Sequence, residues 1–361
     1  MSAISLDRLA GSVAPSVCGQ QRAKKGLLLM MLGGVAKGSK SSVVARGTIH
    51  VCLHGEPETA KSRLLQWAAL VLPHSVYVSG ATSSAAGLTA AIIKDDSGQN
   101  SVAGGALVQA SGGICCIDNF EAMAKRDQAA IREVMDQQSI TLSKAGLHAK
   151  LGAPTSVLVA YTVSEVKEGQ ASFGRKRNFS QQEAGLSGHL LSGFDLVLAM
   201  PQSGEEVPDE DIARHILGMA SGSKQAPPDL SLSDFQRYIR IARAIEPTLS
   251  PEAQQRLTNC YTELRRDFGC GANPRHLESL IRLSEAVARG CFSEEVQVPH
   301  VSEAFELLHC SLQAAACVQR LEGQGTPGTA AGSQGRYNNN NNNNSQGRSA
   351  ANPKRQRCGG A

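Results

Sequence analysis

A short apolar run, a glycine turn and a Lys-Ser pair constrain this sequence more than any other feature. The run covers residues 48–53, and the segment HGEPETAKSRLL follows it over residues 54–65. A buried strand, a turn and a helix start in this order are typical of a phosphate-binding loop, in which backbone N–H groups face the phosphates. In such a loop Lys61 reaches the β- and γ-phosphate oxygens, and the Ser62 hydroxyl binds Mg²⁺.

Two positions of this loop depart from the general pattern G-x-x-x-x-G-K-[ST]. Ala60 stands where the pattern has glycine, and Glu58 puts a carboxylate where phosphate oxygens would lie. Both changes disfavour phosphate binding, because glycine allows close approach of the backbone and like charges repel each other. An ordinary strand-turn-helix segment therefore stays an alternative. The candidate nucleotide-binding residues of the loop are Gly55, Glu56, Pro57, Glu58, Thr59, Ala60, Lys61 and Ser62.

Composition narrows the class of protein. The chain has 361 residues, of which 41% are hydrophobic and only 4% aromatic, which favours a sizeable α/β core over a β-sandwich. Its net charge is +4, so any contact with nucleic acid must be local. The ten cysteines include no C-x-x-C pair, which is typical of reduced thiols in an intracellular protein. We find no signal peptide or membrane span, and we expect a soluble protein without a membrane partner.

Four further apolar runs predict the strands that accompany the first one, at residues 75–79, 112–120, 156–161 and 194–200. The second of these runs is uninterrupted, as in a buried parallel strand, and Asp118 lies at its carboxyl end. In phosphate-binding folds that sheet edge holds Mg²⁺, so Asp118 is a candidate metal ligand. The alternative is that Asp118 caps a helix predicted over residues 121–136.

The remaining pattern predicts two hairpins and a helical region. Polar turns divide β-prone segments near residues 95–100 and within residues 139–151, and no strand is predicted after residue 209. Helices are predicted at residues 211–221, 232–245, 251–267, 274–289 and 301–321. We therefore predict an α/β P-loop NTPase core, with a five-stranded parallel sheet, over residues 1–208 and a helical lid over 209–322. A Gly/Ser/Asn-rich tail over 323–361 is predicted to be disordered.

Seven segments carry a resemblance to a known family: LAGSVAPSVCGQ, GEPETAKS, YVSGATSSAAGLTAA, GGALVQASGGICCIDNF, MDQQSITLSKAGLHAKL, LLSGFDLVL and NPRHLESLIRLSEAVAR. In this order and spacing, from residue 6 to 312, the chain resembles the AAA+ motor of the minichromosome-maintenance (MCM) replicative helicases. The last two segments favour the recombination-associated eighth-member branch. The resemblance implies a nuclear, hexameric ring of MCM-family subunits that uses ATP to translocate on DNA. The family's zinc-bearing N-terminal domain is expected to be missing.

The resemblance also implies residue roles. Lys61 and Ser62 match the phosphate- and Mg²⁺-binding positions, and Asp118 matches the acidic metal position. Arg275 matches the lid arginine that senses the γ-phosphate. Lys144 matches the pore-hairpin lysine that touches DNA, although an exposed lysine on a hairpin is more often only a solvated charge.

Three departures from the family fall on the hydrolysis residues. Asn119 replaces the glutamate that polarises the attacking water, Thr162 replaces the sensor asparagine, and Gly193 replaces the finger arginine. A general base contributes roughly 10² to 10⁴ in rate and an arginine finger roughly 10³ to 10⁵. The resemblance therefore predicts a subunit of a replication or recombination helicase assembly that binds ATP and DNA but hydrolyses ATP poorly. An active ATP-dependent DNA helicase subunit and a truncated gene product are the alternatives.

Overall fold

The computed structural model describes residues 5–38, 46–94, 100–144, 147–162, 188–200, 207–221 and 230–323. The described residues end at residue 323, so the tail predicted to be disordered lies outside them. The tip of the second predicted hairpin, residues 145–146, also lies outside them. No helix among the described residues is both long and apolar enough to span a membrane.

The described strands are β1 (Val51–Gly55), β2 (Val76–Ser79), β3 (Ala90–Lys94), β4 (Asn100–Gly104), β5 (Ile114–Asp118), β6 (Ser139–Lys144), β7 (Leu147–Gly152), β8 (Ser156–Thr162), β9 (Leu196–Met200), β10 (Thr248–Leu249) and β11 (Glu295–Val296). The described helices are α1 (Leu6–Gly11), α2 (Gln21–Leu32), α3 (Lys61–Val71), α4 (Ala85–Leu88), α5 (Ala106–Gln109), α6 (Lys125–Gln137), α7 (Gly188–Leu191), α8 (Asp209–Ala220), α9 (Leu232–Arg243), α10 (Pro251–Phe268), α11 (Pro274–Gly290) and α12 (Val298–Gly323).

The central element is a five-stranded sheet in the order β2-β5-β8-β1-β9, in which every neighbouring pair is parallel. Helices cover both faces, which is why β5 and β8 read as near-continuous apolar runs. Gly55 at the end of β1 is in register with Thr162 at the end of β8. The parallel arrangement therefore brings the ends of β1, β5 and β8 to one edge, where ligands bind in open α/β sheets. The predicted five-stranded α/β fold is confirmed.

Both predicted hairpins are present as antiparallel pairs, β3 with β4 and β6 with β7. Along β6 the buried Ile140 and Leu142 alternate with the exposed Thr141, so one face of the ribbon packs against the protein. Lys144 pairs with Leu147 in the last ladder position before the tip. The sequence therefore predicted both the place of this lysine and the hairpin that carries it.

Two predictions of secondary structure were wrong in detail. The helix expected from residue 121 begins only at Lys125, because Asn119 adopts a left-handed φ of 49° and a 3₁₀ turn over Phe120–Ala122 follows it. The fully buried Phe120 side chain anchors that turn. Strands also occur after residue 209, since β10 and β11 pair in parallel. Each has only two residues, too few for an alternating pattern to be visible in the sequence.

A buried charge cluster joins the edge strand β9 to helix α11. Asp195, directly before β9, accepts hydrogen bonds from Arg46 Nη1 and Arg282 Nη2 at 2.8 Å each and from Ser279 Oγ at 2.6 Å. Burial alone would raise the pKa of Asp195, but the charges of Arg46 and Arg282 outweigh it and hold the pKa well below its usual range. Because Ser279 and Arg282 belong to α11, one carboxylate ties the sheet to the predicted lid.

Candidate functional site

The loop between β1 and α3 has the backbone of a tight turn. A Cβ on Gly55 would lie 2.8 Å from the Met200 carbonyl oxygen, so only glycine fits there. Glu58 and Ala60 have positive φ angles of 70° and 64°. Such angles cost a residue with a Cβ roughly 1 kcal/mol or more, which explains why the general pattern has glycine at the position of Ala60.

Lys61 is the first residue of α3 and is only 5% exposed. Its ammonium group donates hydrogen bonds to the Gly55 carbonyl oxygen at 2.9 Å, to Thr59 Oγ1 at 3.0 Å and to the Glu56 carbonyl oxygen. No side chain caps the N-terminus of α3. A buried cation beside uncapped helix N–H groups fits an anion such as a phosphate group. On binding, the oxygens of the anion would replace loop oxygens around Lys61.

A cavity of about 670 Å³ opens beside this loop. Its lining combines residues 16–20 between α1 and α2, loop residues 57–63, the strand-end residues Asn119, Glu121 and Thr162, and Val207, Ile212, His215 and Ile216 on and before α8. The volume lies in the range of small-molecule sites. The loop side is polar, whereas Val17, Ile212 and Ile216 supply apolar surface, so the cavity suits a ligand with a charged end and a flat apolar end.

Asp118 lies at the end of β5, on the same sheet edge as Lys61, but it does not line the cavity. Its Oδ2 accepts a 2.6 Å hydrogen bond from the Tyr77 hydroxyl, and its Oδ1 accepts one from the Asn119 N–H at 3.0 Å. Burial, followed by the bond to Asp118, raises the pKa of Tyr77 to about 12. A carboxylate has about four acceptor positions, so two remain for a ligand.

The donor set at this edge fits Mg²⁺ better than a metal held by protein alone. Ser62 is exposed and lines the cavity. Asp118 lies on the same sheet edge but does not line the cavity. Within the described ranges, no group of three or more His, Cys, Asp or Glu residues could hold a metal ion. Mg²⁺ needs no such group, because it keeps several waters and binds phosphate oxygens together with one or two protein ligands.

Asn119 and Thr162 both line the cavity, as residues next to the reacting phosphate should. The Thr162 N–H donates a 3.1 Å hydrogen bond to Glu121 Oε2. Sequence reasoning missed Glu121 because it was taken as the first residue of a helix. The available signal was a second carboxylate three residues after Asp118, in the turn that follows a buried strand.

Gly193 and Arg275 do not line this cavity. Both lie near the end of α6. A Cβ on Gly193 would be 3.5 Å from Met135 Cε, near the end of α6. Arg275 Nη1 lies 3.1 Å from Asp136 Oδ1, at the next residue of the same helix. The predicted residues of the nucleotide site therefore form two groups: those beside Lys61, and Gly193 with Arg275 at the end of α6. Lys144, the predicted DNA contact, lies apart from both on β6.

A parallel sheet with a tight loop and a buried lysine after β1 and an acidic residue at the end of β5 defines the P-loop class of α/β proteins. The chain belongs to the MCM family: the family model of the MCM P-loop domain matches residues 2–220, and that of the MCM AAA-lid domain matches residues 233–312. The predicted family is confirmed. The predicted boundary between core and lid, after residue 208, stays a prediction.

The relatives are replication licensing factors. The chain is 41% identical over 315 residues to DNA replication licensing factor MCM6 of Arabidopsis thaliana, covering 85% of this chain and 37% of that protein. It is 42% identical over 313 residues to Mcm6 of Anopheles gambiae, covering 84% and 38%. For mcm6 of Schizosaccharomyces pombe the identity is 39% over 314 residues, covering 84% and 34%. The chain thus spans somewhat over a third of the length of these relatives. They are MCM6 proteins, so placement in the eighth-member branch is not confirmed.

Proposed function

We propose that this chain is an ATP- and DNA-binding subunit of an MCM ring that hydrolyses ATP poorly by itself. The observation that carries the proposal is the cavity beside α3. It has Lys61, Ser62 and an uncapped helix N-terminus for binding, but Asn119 occupies the position of the catalytic glutamate. The site therefore keeps the groups proposed to bind nucleotide but lacks a carboxylate at the position of the catalytic glutamate.

In the proposed complex, Lys61 and the first N–H groups of α3 hold the phosphates of ATP, and Ser62 and Asp118 hold Mg²⁺. The bound ion would neutralise phosphate charge and thereby assist attack on the γ-phosphate. The apolar surface of Val17, Ile212 and Ile216 is available for the base. Glu58 opposes binding because its carboxylate also lines the cavity, so we expect weak affinity.

The hydrolysis residues support the second half of the proposal. The Asn119 amide cannot accept a proton from water, and the Thr162 hydroxyl has a shorter reach than an asparagine side chain. Gly193 supplies no cation at all. These three changes remove a general base worth roughly 10² to 10⁴ in rate and a finger worth roughly 10³ to 10⁵.

The separate position of Gly193 and Arg275 supports assembly with other MCM-family subunits in a hexameric ring. Arg275 is half exposed and pairs with Asp136 instead of lining its own cavity. In a ring it would reach the γ-phosphate bound to a neighbouring subunit, and a neighbour could supply a finger to Lys61. The relatives are named as DNA replication licensing factors, which supports a role on DNA in the nucleus. Lys144 near the hairpin tip is the proposed DNA contact.

One observation favours the alternative of an active ATP-dependent DNA helicase subunit. Glu121 places a carboxylate in the cavity next to Asn119 and Thr162. If a neighbouring subunit supplied the missing arginine, such a site would retain part of its ATP-hydrolysis activity.

Nucleotide binding tests the proposal directly. Titration with a fluorescent ATP analogue and Mg²⁺ should show weak, saturable binding that Lys61→Ala abolishes, because its buried ammonium group lies in the loop beside the uncapped start of α3. Lys125→Ala is the matched control, since Lys125 is exposed and does not line the cavity. Absence of binding in the unmodified chain, or equal binding by Lys61→Ala, would reject the proposed site.

A further inference from the structure

Two carboxylates line the nucleotide cavity among the described residues, and they belong to different segments of the chain. Glu58 belongs to the phosphate loop, three residues before Lys61, the first residue of α3. Glu121 belongs to the turn after β5 and lines the cavity with Asn119 and Thr162. Since the phosphates are proposed to bind to the loop and the start of α3, Glu121 is the carboxylate that lies outside the phosphate-binding segment.

The backbone after β5 explains how Glu121 reaches this place. Asn119 turns the chain with its left-handed conformation, and the 3₁₀ turn over Phe120–Ala122 follows at once. With the Phe120 side chain fully buried, Glu121 returns to the strand ends. Its Oε2 accepts the Thr162 N–H at 3.1 Å, while Oε1 has no hydrogen-bond partner among the described residues. One oxygen is therefore positioned by the sheet and the other remains available.

Electrostatics place the Glu121 charge near the phosphate-binding cation. Burial lowers the pKa of Lys61, and of the carboxylates that oppose this effect Glu121 is the strongest, ahead of Asp118. Since Lys61 is the residue that binds phosphate oxygens in such loops, Glu121 lies within electrostatic reach of the terminal phosphate.

We infer that Glu121 is the proton acceptor of this site, in place of the glutamate that Asn119 replaces. This inference rests on the proposed ATP site. In the step, the water oxygen bonds to the γ-phosphorus while the bond from that phosphorus to the β–γ bridging oxygen breaks. The bridging oxygen leaves with the electron pair on ADP. The water proton passes to the Glu121 carboxylate and then to solvent. Thr162 and Gly193 still limit the rate, so the step is slow without a neighbouring subunit.

The substitution Glu121→Gln isolates the charge, because its amide oxygen can still accept the Thr162 N–H. The affinity for ATP with Mg²⁺ should rise by roughly fivefold or more as one negative charge leaves the vicinity of the γ-phosphate, with little change for ADP. Glu121→Asp, which keeps the charge, should leave the ratio of ATP to ADP affinity near that of the unmodified chain. Glu58→Gln is the matched control and should tighten both nucleotides, because Glu58 borders the loop that holds all the phosphates.

Single-turnover hydrolysis, with protein in excess over labelled ATP and incubation for hours, measures the proton-transfer role. The unmodified chain should convert ATP slowly but above the protein-free rate, and Glu121→Gln should lower this rate to the protein-free rate, because the general base is lost. Glu133→Gln, which changes an exposed carboxylate on α6 that does not line the cavity, should leave the rate unchanged. Thermal unfolding of each variant checks that the fold is retained.

Three outcomes would overturn the inference: equal shifts in ATP and ADP affinity in Glu121→Gln, an unchanged single-turnover rate in that variant, or conversion by the unmodified chain at the protein-free rate. Loss of nucleotide binding in every variant and in the unmodified chain would instead reject the proposed function together with the inference. If nucleotide binds but Glu121→Gln changes neither the affinities nor the single-turnover rate, the inference alone is rejected.

Discussion

The surroundings of His54, directly before the phosphate loop, lower the pKa of its imidazole. It lies on β1 and stacks on Tyr161 with a centroid distance of 5.8 Å. Its Nε2 is buried without a hydrogen-bond partner among the described residues. Burial, followed by the charge of Lys61, lowers the pKa of His54 to about 4. The imidazole is therefore neutral in the folded protein at pH 7, and its protonation opposes folding.

The resulting prediction concerns acid stability. The folded pKa of His54 lies below the unfolded value of about 6.5, so its stabilising effect is complete above pH 6.5 and is lost as the pH falls towards 4. The free energy of unfolding in urea should fall between pH 7 and pH 5. His54→Phe keeps the ring stack but cannot be protonated, so it should lose less stability over this range. Burial also lowers the pKa of His50, which leaves a residual slope in both proteins. Equal losses in the two proteins would contradict this role of His54.

At the level of elements, the junction between β9 and α11 depends on one buried carboxylate. Asp195 is 1% exposed and forms ion pairs with both Arg46 and Arg282. Removing one member of a buried ion group leaves the others without compensation, which costs far more than the group contributes as a whole. The attachment of the lid to the sheet should therefore be sensitive to this position.

We predict that Asp195→Asn lowers the free energy of unfolding by roughly 3 to 5 kcal/mol, because two buried guanidinium groups lose their counter-charge. Urea unfolding at pH 7 measures the change. Asp211→Asn removes a carboxylate from the exposed pair with Arg214 and should cost under about 1 kcal/mol. Similar costs for the two substitutions would show that the buried cluster does not hold α11 in place.

The β6–β7 hairpin carries the proposed DNA contact. Lys144→Ala should weaken binding to DNA and reduce the dependence of log affinity on log salt by about 1, as expected for one lost phosphate contact. Lys150→Ala is the control on the same hairpin, since Lys150 is exposed in the middle of β7, opposite Thr141. Fluorescence anisotropy over a range of salt concentrations measures both. Equal effects of the two substitutions would favour a solvated charge without a specific contact at Lys144.

Most of these elements were predictable because their signals are local. The buried strands appear as apolar runs, and Asp118 follows one of them directly. The order of strands in the sheet has no such local signal, and it was not predicted from the sequence. The late start of α6 was missed because it depends on the left-handed Asn119 and the buried Phe120, which are tertiary effects. Glu121 was missed for the same reason.

At the scale of the whole molecule, the predicted residues of the nucleotide site fall into two groups. Lys61, Ser62, Asn119 and Thr162 meet in one cavity, whereas Arg275 pairs with Asp136 at the end of α6. The sequence predicted these residues individually, but only the fold shows which of them share a cavity. Since the chain covers 37% of the Arabidopsis thaliana MCM6 protein, ring assembly and DNA translocation stay proposals for it.

The central claim is that this chain binds ATP without working as a motor on its own. The most direct measurement is steady-state ATP turnover by the purified chain, with and without single-stranded DNA, under conditions where binding is saturated. We predict turnover that is slightly above the protein-free background, far below the rate of a motor, and unchanged by DNA. Asn119→Glu alone should do little, because Thr162 and Gly193 remain and catalytic groups that act together are not additive. DNA-stimulated turnover at a rate typical of a motor would contradict the claim and support an active helicase subunit.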